Sequence, residues 1–275
     1  MKRLILAFLA PVAALLVVGV AALVVLDEDD EATSPAAAEQ SGVTPAGAPR
    51  LAPESNVCQG ILHRPDAGTA RTFPAEYTQR REVAGLTVVG NSDVDPEAMD
   101  EAAATIEHFF RNNDLEDGLA AEGAYVIVAD ARQGVLDLPE FRCLDNPGTQ
   151  DFYSHVCGVA DRADYPVVTV SELDLLGKRS GPCAGLNILY HEIGHLVQGW
   201  VLPHADYIDV RQHFQDAKNA GKYRNDYAAT NANEYFAEAT QAYFLSSDPA
   251  GNRDRDWLRT YDPQIFELLD RTYRD

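Results

Sequence analysis

Basic residues are scarce in this chain. Its 275 residues include 22 Lys and Arg against 43 Asp and Glu, which gives a formal net charge of −21 at pH 7. Phosphate recognition needs clustered Lys and Arg, so this balance argues against a nucleic-acid-binding protein. Internal repeats are also lacking. The hydrophobic share of 46% suffices for a packed core, and the length predicts one sizeable domain or two small ones besides any targeting segment.

Cysteine is almost as sparse, with four residues and no closely spaced pair of the kind that binds metal. Disulfides are therefore the expected use of Cys58, Cys143, Cys157 and Cys183, in an oxidising compartment outside the cytoplasm. Three pairings are possible. The short separation of Cys143 and Cys157 favours a local loop between them, which leaves Cys58 to pair with Cys183.

The N-terminus carries the longest apolar run. Lys2 and Arg3 precede an apolar segment over residues 4–26, and five acidic residues follow at 27–31. At 1.5 Å per residue the segment reaches about 35 Å, enough to cross a hydrocarbon core of about 30 Å. Basic residues before it and acidic ones after it place the rest of the chain outside. Residues 1–26 are thus a membrane anchor or, since small residues at 20–22 allow cleavage, a signal peptide.

Large apolar residues are few between 27 and 56, where Ala, Pro, Glu, Ser and Gly dominate. Such a segment cannot bury enough surface to offset its ordering entropy, so we expect a disordered linker. The globular domain is predicted to span residues 57–275. Its pattern predicts strands at 86–89, 125–129 and 166–171, and helices at 95–111, 231–245 and from 262 onward.

This order of elements, with strands and one helix first and helices afterwards, predicts an α+β fold. A small sheet would pack on a helix that carries the sequence HEIGH, and the C-terminal part would be mainly helical. The strand at 167–171 could pair with an extended substrate by strand addition, or it could be a plain core strand.

The segment His191-Glu192-Ile193-Gly194-His195 is the strongest chemical signal. On a helix, residues i and i+4 project from nearly one face, so both imidazoles can bind one ion, and Glu192 can reach a water on that ion. Burying these groups without a metal would be costly, because apolar residues flank them. The helix is expected to run from about Pro182 to Gly199. Gly194 inside it is tolerated where something approaches the backbone closely.

A zinc site needs a third protein ligand. His204, Asp206 and His213 lie nearby in a Pro-interrupted stretch with no clear helical register. Glu234 is the better candidate, because it stands with Glu238 at i and i+4 on a second helix, among aromatic and small residues. Glu238 could accept a hydrogen bond from the outer nitrogen of a ligating histidine.

These motifs together resemble the anthrax-lethal-factor-like zinc metallopeptidases of the gluzincin type. The likeness covers roughly residues 183–245 and includes a Tyr-x6-Glu-x3-Glu pattern at 227–238. It implies one Zn²⁺, a zincin-like fold and a defined set of site residues. The implied zinc ligands are His191, His195 and Glu234, with Glu192 as general base and Tyr227 as the phenol that stabilises the oxyanion.

The resulting hypothesis is an exported, membrane-tethered endopeptidase that hydrolyses peptide bonds with a zinc-bound water activated by Glu192. Its expected partners are a peptide or protein substrate and, through the N-terminal segment, a membrane. Two alternatives stay open: a non-catalytic zincin-like binding module at the cell surface, and a hydrolase of cell-wall peptides that uses the same site.

Overall fold

The structure is a computed structural model, in which a five-stranded sheet and nine helices are described. No helix within the described part is long and apolar enough to cross a membrane. The predicted anchor, the linker, Cys58 and Cys183 lie outside that part, and the predicted domain boundaries stay predictions. The described residues are 71–145, 147, 149–153, 156–160, 166–178, 187–245 and 253–274.

The sheet has the strand order β1-β2-β3-β5-β4. Its three inner strands are parallel, and the two outer strands run antiparallel to their neighbours. Inner strands of this kind are buried on both faces, which explains their nearly continuous Val and Ile content. The strands are β1 (Gln79–Val83), β2 (Leu86–Gly90), β3 (Tyr125–Ala129), β4 (Gly158–Val159) and β5 (Val167–Ser171).

All three predicted strands are confirmed, but strand addition to β5 is excluded at Thr169 and Val170. β5 pairs with β3 on one side, and its residues Thr169 and Val170 pair with β4 on the other. Because both sides are occupied there, β5 has no free edge at these residues. The described edge strand on this side of the sheet is β4.

Helices cover one face of the sheet and form most of the C-terminal half. The predicted helices at 95–111, 231–245 and 262 onward are confirmed within one or two residues. The helices are α1 (Pro96–Phe110), α2 (Leu115–Ala121), α3 (Gln150–Tyr153), α4 (Glu172–Leu175), α5 (Ile188–Leu196), α6 (His204–Asn219), α7 (Ala232–Phe244), α8 (Arg255–Tyr261) and α9 (Pro263–Tyr273).

The larger core lies between this helical layer and the sheet. It buries Met99 and Phe109 of α1, Leu189 of α5 and Phe236 of α7 against Val126 and other residues of the inner strands. Apolar burial of this extent holds α5 and α7 together. The predicted α+β architecture is therefore confirmed.

The smaller core lies on the opposite face of the sheet. Tyr125 and Ile127 of β3 pack there with Leu138 and Phe141, which belong to a segment with two short 3₁₀ turns at 135–137 and 142–144. Residues of β3 alternate between the two cores, as the pleat of a strand requires.

Three local predictions need correction. The HEIGH helix begins at Ile188, after the N-cap Asn187, and not near Pro182; a π-helical segment continues it over 197–201. Residues 204–219 form a regular helix although their pattern is polar, because Val210 and Ala217 are buried against the core. A further helix, α8, lies between the helices predicted at 231–245 and from 262 onward, where no helix was predicted.

The cysteine prediction is only partly within the described residues. Cys143 and Cys157 are both disulfide-bonded. Cys58 and Cys183 lie outside the described residues, so the predicted pairing of all four stays a prediction.

Candidate active site

The α5 helix buries the two charged groups of HEIGH that face inward. Only 4% of His191 and 5% of Glu192 is exposed, and the Asn187 side chain caps the helix by accepting a hydrogen bond from the Leu189 backbone N–H. Gly194 lies where α5 meets α7: a Cβ there would stand 3.1 Å from Cβ of Thr240 and 3.3 Å from Cα of Ala237. The expected close approach at Gly194 is thus α7 itself.

Helix α7 brings Glu234 to this contact. The Asn231 side chain accepts hydrogen bonds from the backbone N–H groups of Asn233 and Glu234, so it fixes the start of the helix and the position of Glu234 in its first turn. Glu234 is 3% exposed. Burial of a carboxylate at this depth requires a compensating partner.

Three ligand atoms converge between the helices. Nε2 of His195 lies 3.1 Å from Nε2 of His191, and Oε2 of Glu234 lies 3.2 Å and 3.4 Å from these two nitrogens. A tetrahedral zinc with bonds of about 2.0–2.1 Å spaces its ligands about 3.3 Å apart. Among the described residues, this is the group of His, Cys, Asp and Glu able to hold a metal ion.

A second observation supports the fit. Oε2 of Glu234 is buried and makes no hydrogen bond, although it points at two ring nitrogens. A buried oxygen left this way costs roughly 1–3 kcal/mol or more. Two imidazoles and one carboxylate are a donor set that zinc prefers, so the residues present fit this ion.

Glu234 and His191 shift each other's pKa in opposite directions. Burial raises the pKa of Glu234, but the adjacent His195 and His191 outweigh burial and hold its pKa well below the usual range. Burial lowers the pKa of His191, whereas the contacts with Glu234 and Glu238 raise it, and the net direction is upward.

Glu192 lies beside this group without belonging to it. Burial raises the pKa of its carboxyl group, and the nearby His191 and His195 oppose part of that rise. A raised pKa brings a carboxylate closer to the range in which it exchanges protons near neutral pH.

The edge strand β4 contacts Glu192 directly. A Cβ placed on Gly158 would stand 2.7 Å from Oε1 of Glu192 and 3.0 Å from the backbone oxygen of Thr169. Gly158 therefore leaves the space that the Glu192 carboxylate occupies. The sequence does not single out this residue, because a lone glycine in an unpredicted two-residue strand carries no local signal.

Tyr227 begins a 3₁₀ turn that Asp226 caps through the Ala228 backbone N–H. Its ring lies 6.2 Å from that of His191, centroid to centroid. Burial, followed by the negative charges of Glu234 and Glu192, raises the pKa of the phenol. The phenol is therefore protonated and able to donate a hydrogen bond into the site.

Glu238 lies behind His191, where it was predicted to be. Its Oε1 is 3.3 Å from Nδ1 of His191, on the opposite side of the ring from Glu234. A carboxylate in this place favours the tautomer that protonates Nδ1 and leaves Nε2 free to bind a metal.

The other candidate ligands are not brought to the site. His204, Asp206 and His213 lie on α6, and Asp206 is paired with Arg271 of α9. Two residues that the sequence did not single out do reach the site: Asp226 and Arg253.

A family model described as "Anthrax toxin lethal factor, N- and C-terminal domain" matches residues 82–272, which is more than half of the chain. The chain belongs to this family. The family is one of zinc metalloproteases, so the predicted resemblance is confirmed and zinc is the metal it implies.

The similarity to individual proteins is more distant. The PRO-PRO endopeptidase PPEP-2 of Paenibacillus alvei has a solved structure with 23% sequence identity and a TM-score of 0.48. The match covers 67% of this chain and 96% of that one. None of the curated proteins matches the chain.

Proposed function

We propose that this member of the family is an exported zinc endopeptidase of the gluzincin type, with one Zn²⁺ held by His191, His195 and Glu234. The observation that carries the proposal is the convergence of three ligand atoms within 3.4 Å of one another beside the buried Glu192. Export rests on the N-terminal segment 4–26, which we propose to be a membrane anchor or a cleaved signal peptide.

Each side chain has a distinct part in the proposed reaction. His191, His195 and Glu234 would hold the zinc, which would lower the pKa of a bound water and polarise the scissile carbonyl. Glu192 accepts the proton of the attacking water and then passes it to the leaving amine, which its raised pKa favours. Tyr227 donates a hydrogen bond to the developing oxyanion, a contact of a kind worth roughly 3 kcal/mol. Glu238 orients His191.

The substrate is a peptide or protein. Strand addition, excluded at Thr169 and Val170, is possible instead at β4, since β4 is the edge strand on the side of the described sheet next to β5 and its Gly158 lies against Glu192. An extended peptide paired there would pass directly beside the proposed base.

A Glu192→Gln variant is the sharpest test. The amide keeps the shape of the side chain but cannot accept the proton, so we expect full zinc content and loss of cleavage across a generic peptide library. Zinc content is measured by elemental analysis, and cleavage by mass spectrometry of the library.

Three results would contradict the proposal. A parent protein that binds zinc but cleaves no peptide would favour the non-catalytic binding module. Cleavage retained in the Glu192→Gln variant would remove Glu192 from the mechanism. Cleavage of isolated cell-wall peptides in preference to the library would favour the cell-wall hydrolase.

A further inference from the structure

The segment before Tyr227 has an unusual backbone. Tyr223 and Asn225 have φ angles of 54° and 61°, in the left-handed region that residues other than glycine rarely adopt. Each such residue costs of order 1–3 kcal/mol and persists only where surrounding contacts hold it. The orientation of Tyr227 therefore depends on what holds this segment.

Two contacts from outside hold it. The backbone N–H of Tyr223 donates to the hydroxyl of Tyr261 at 3.0 Å. Asp226 has both carboxylate oxygens engaged: Oδ1 accepts from the Ala228 backbone N–H, and Oδ2 is paired with the Arg253 guanidinium. Only 7% of the Asp226 side chain is exposed, so this pair is largely desolvated on the acidic side.

The same guanidinium also faces Glu238. Nη1 of Arg253 lies 3.9 Å from Oε2 of Glu238, while Oε1 of Glu238 lies 3.3 Å from Nδ1 of His191. Arg253 thus stands between the residue that precedes Tyr227 and the carboxylate that orients His191. The planar fork of an arginine suits contact with two carboxylates at once.

Arg253 is itself held in place. Its guanidinium lies over the Trp257 ring, with Cζ 5.4 Å from the ring centroid. The next residue, Asp254, caps α8 by accepting a hydrogen bond from the Trp257 backbone N–H. Burial lowers the pKa of Arg253, but Asp226 and Glu238 outweigh it and raise the pKa overall.

We infer that Arg253 is a positioning residue that holds the Tyr227 turn, through Asp226, and the His191 acceptor Glu238 in one fixed arrangement. The part of this inference that concerns Tyr227 rests on the proposed function. The part that concerns metal affinity, through Glu238 and His191, does not. Without the guanidinium, Asp226 and Glu238 would repel each other and the acids Glu234 and Glu192 nearby.

The test compares Arg253→Ala with Arg271→Ala. Arg271 is a matched control, because it also bridges two carboxylates, those of Asp206 and Asp209, and its side chain is similarly exposed, at 48% against 41% for Arg253. It lies away from the site. For both variants zinc affinity is measured by competition with a chelator, and kcat and KM with a cleaved peptide.

For Arg253→Ala we expect zinc affinity to fall by about tenfold and kcat by about 10–100-fold, the range that loss of a supporting partner produces. KM should change by less than about threefold, because β4, the proposed substrate-binding strand, is untouched. Arg253→Lys keeps the charge but not the fork, so it should recover part of both losses. Arg271→Ala should match the parent.

Double variants separate positioning from general stability. If Arg253 acts on zinc through Glu238, Arg253→Ala combined with Glu238→Gln should bind zinc no more weakly than the worse single variant. Likewise, Arg253→Ala with Asp226→Asn should lower kcat no further than the worse single variant. If Arg253→Ala does not fold, Arg253→Lys replaces it in both double-variant cycles.

Two results would overturn the inference: losses that add in both cycles, or an Arg253→Ala variant that matches Arg271→Ala in zinc affinity and kcat. Failure of the proposed function is distinguishable from both. A parent that binds zinc without cleaving peptides removes the endopeptidase, while the zinc-affinity cycle of Arg253 and Glu238 still decides whether Arg253 positions the site.

Discussion

Glu140 and Glu234 are both buried glutamates, but they lie in different cores and their carboxylate oxygens have different hydrogen-bond partners. Both oxygens of Glu140 accept hydrogen bonds from phenols, Oε2 from Tyr77 at 2.5 Å and Oε1 from Tyr125 at 2.7 Å. Oε2 of Glu234 makes none and points at two imidazoles. Their pKa values move in opposite directions, because burial dominates at Glu140 and the histidines dominate at Glu234.

The difference shows how a structural carboxylate can be told from a ligand. A buried polar network contributes to the fold when every member has a partner. A buried carboxylate oxygen without one destabilises the protein unless something else binds it. On this criterion Glu140 belongs to the fold, and Glu234 fits the proposed metal site.

The largest expected effect is on metal affinity. Glu234→Gln removes a charged ligand, so zinc affinity should fall by more than the about 10–100-fold that loss of a supporting partner costs. Glu140→Gln, the matched control from the other core, should leave it unchanged. Chelator competition measures both. Equal zinc affinity in the parent and Glu234→Gln would break the comparison.

The second effect is on stability and concerns the other carboxylate. Glu140→Ala leaves the hydroxyls of Tyr77 and Tyr125 buried without their acceptor and opens a cavity, which should lower the free energy of unfolding by about 3 kcal/mol. Urea unfolding of the zinc-free protein measures this loss. The folded fraction should bind zinc as the parent does; a change in its zinc affinity would mean that the two cores are coupled.

The third prediction sharpens the comparison at Glu192, which is buried like Glu140 but proposed to be catalytic. Gly158→Ala places a Cβ where the Glu192 carboxylate lies, so kcat should fall by about 10–100-fold with zinc affinity unchanged. Gly134→Ala is the control, because the nearest atom to its added Cβ is 3.6 Å away. Unchanged kcat in Gly158→Ala would show that Glu192 has room to shift without cost.

The smallest effect is the pH dependence that Glu140 imposes. Its pKa is raised in the folded state, chiefly by burial. The folded protein therefore binds the Glu140 proton more tightly than the unfolded chain does. The stability from this group is fully present below the unfolded pKa of about 4.3 and is lost as pH rises through the folded pKa.

Glu140→Gln cannot titrate, so the stability of the parent relative to this variant should decrease as pH rises from about 4 toward neutrality. Each unit between the folded and unfolded pKa contributes about 1.4 kcal/mol. Urea unfolding of both proteins across this pH range provides the test. Parallel stability curves would show that the two phenols fully compensate burial.

The strands, most helices and the metal group were predictable from local patterns. Apolar runs such as 125–129 predict buried strands, and the i, i+4 spacing of His191 and His195 predicts a shared helix face. Glu234 was predictable because its helix has an unusual mixture of paired carboxylates and aromatic residues. Helix α6 was missed, because its polar pattern conceals two buried residues, Val210 and Ala217, seven positions apart.

What the sequence determined alone is the chemistry within single elements, since residues at i and i+4 of a helix are neighbours wherever the helix goes. Only the tertiary structure decided which residues distant in the sequence come into contact. It put β4 and not β5 at the edge of the sheet, brought Gly158 against Glu192, and placed Arg253 between Asp226 and Glu238. The contacts of Gly158 and Arg253 join residues 15 to 34 positions apart, and no local preference encodes them, because they follow from how the helices pack on the sheet.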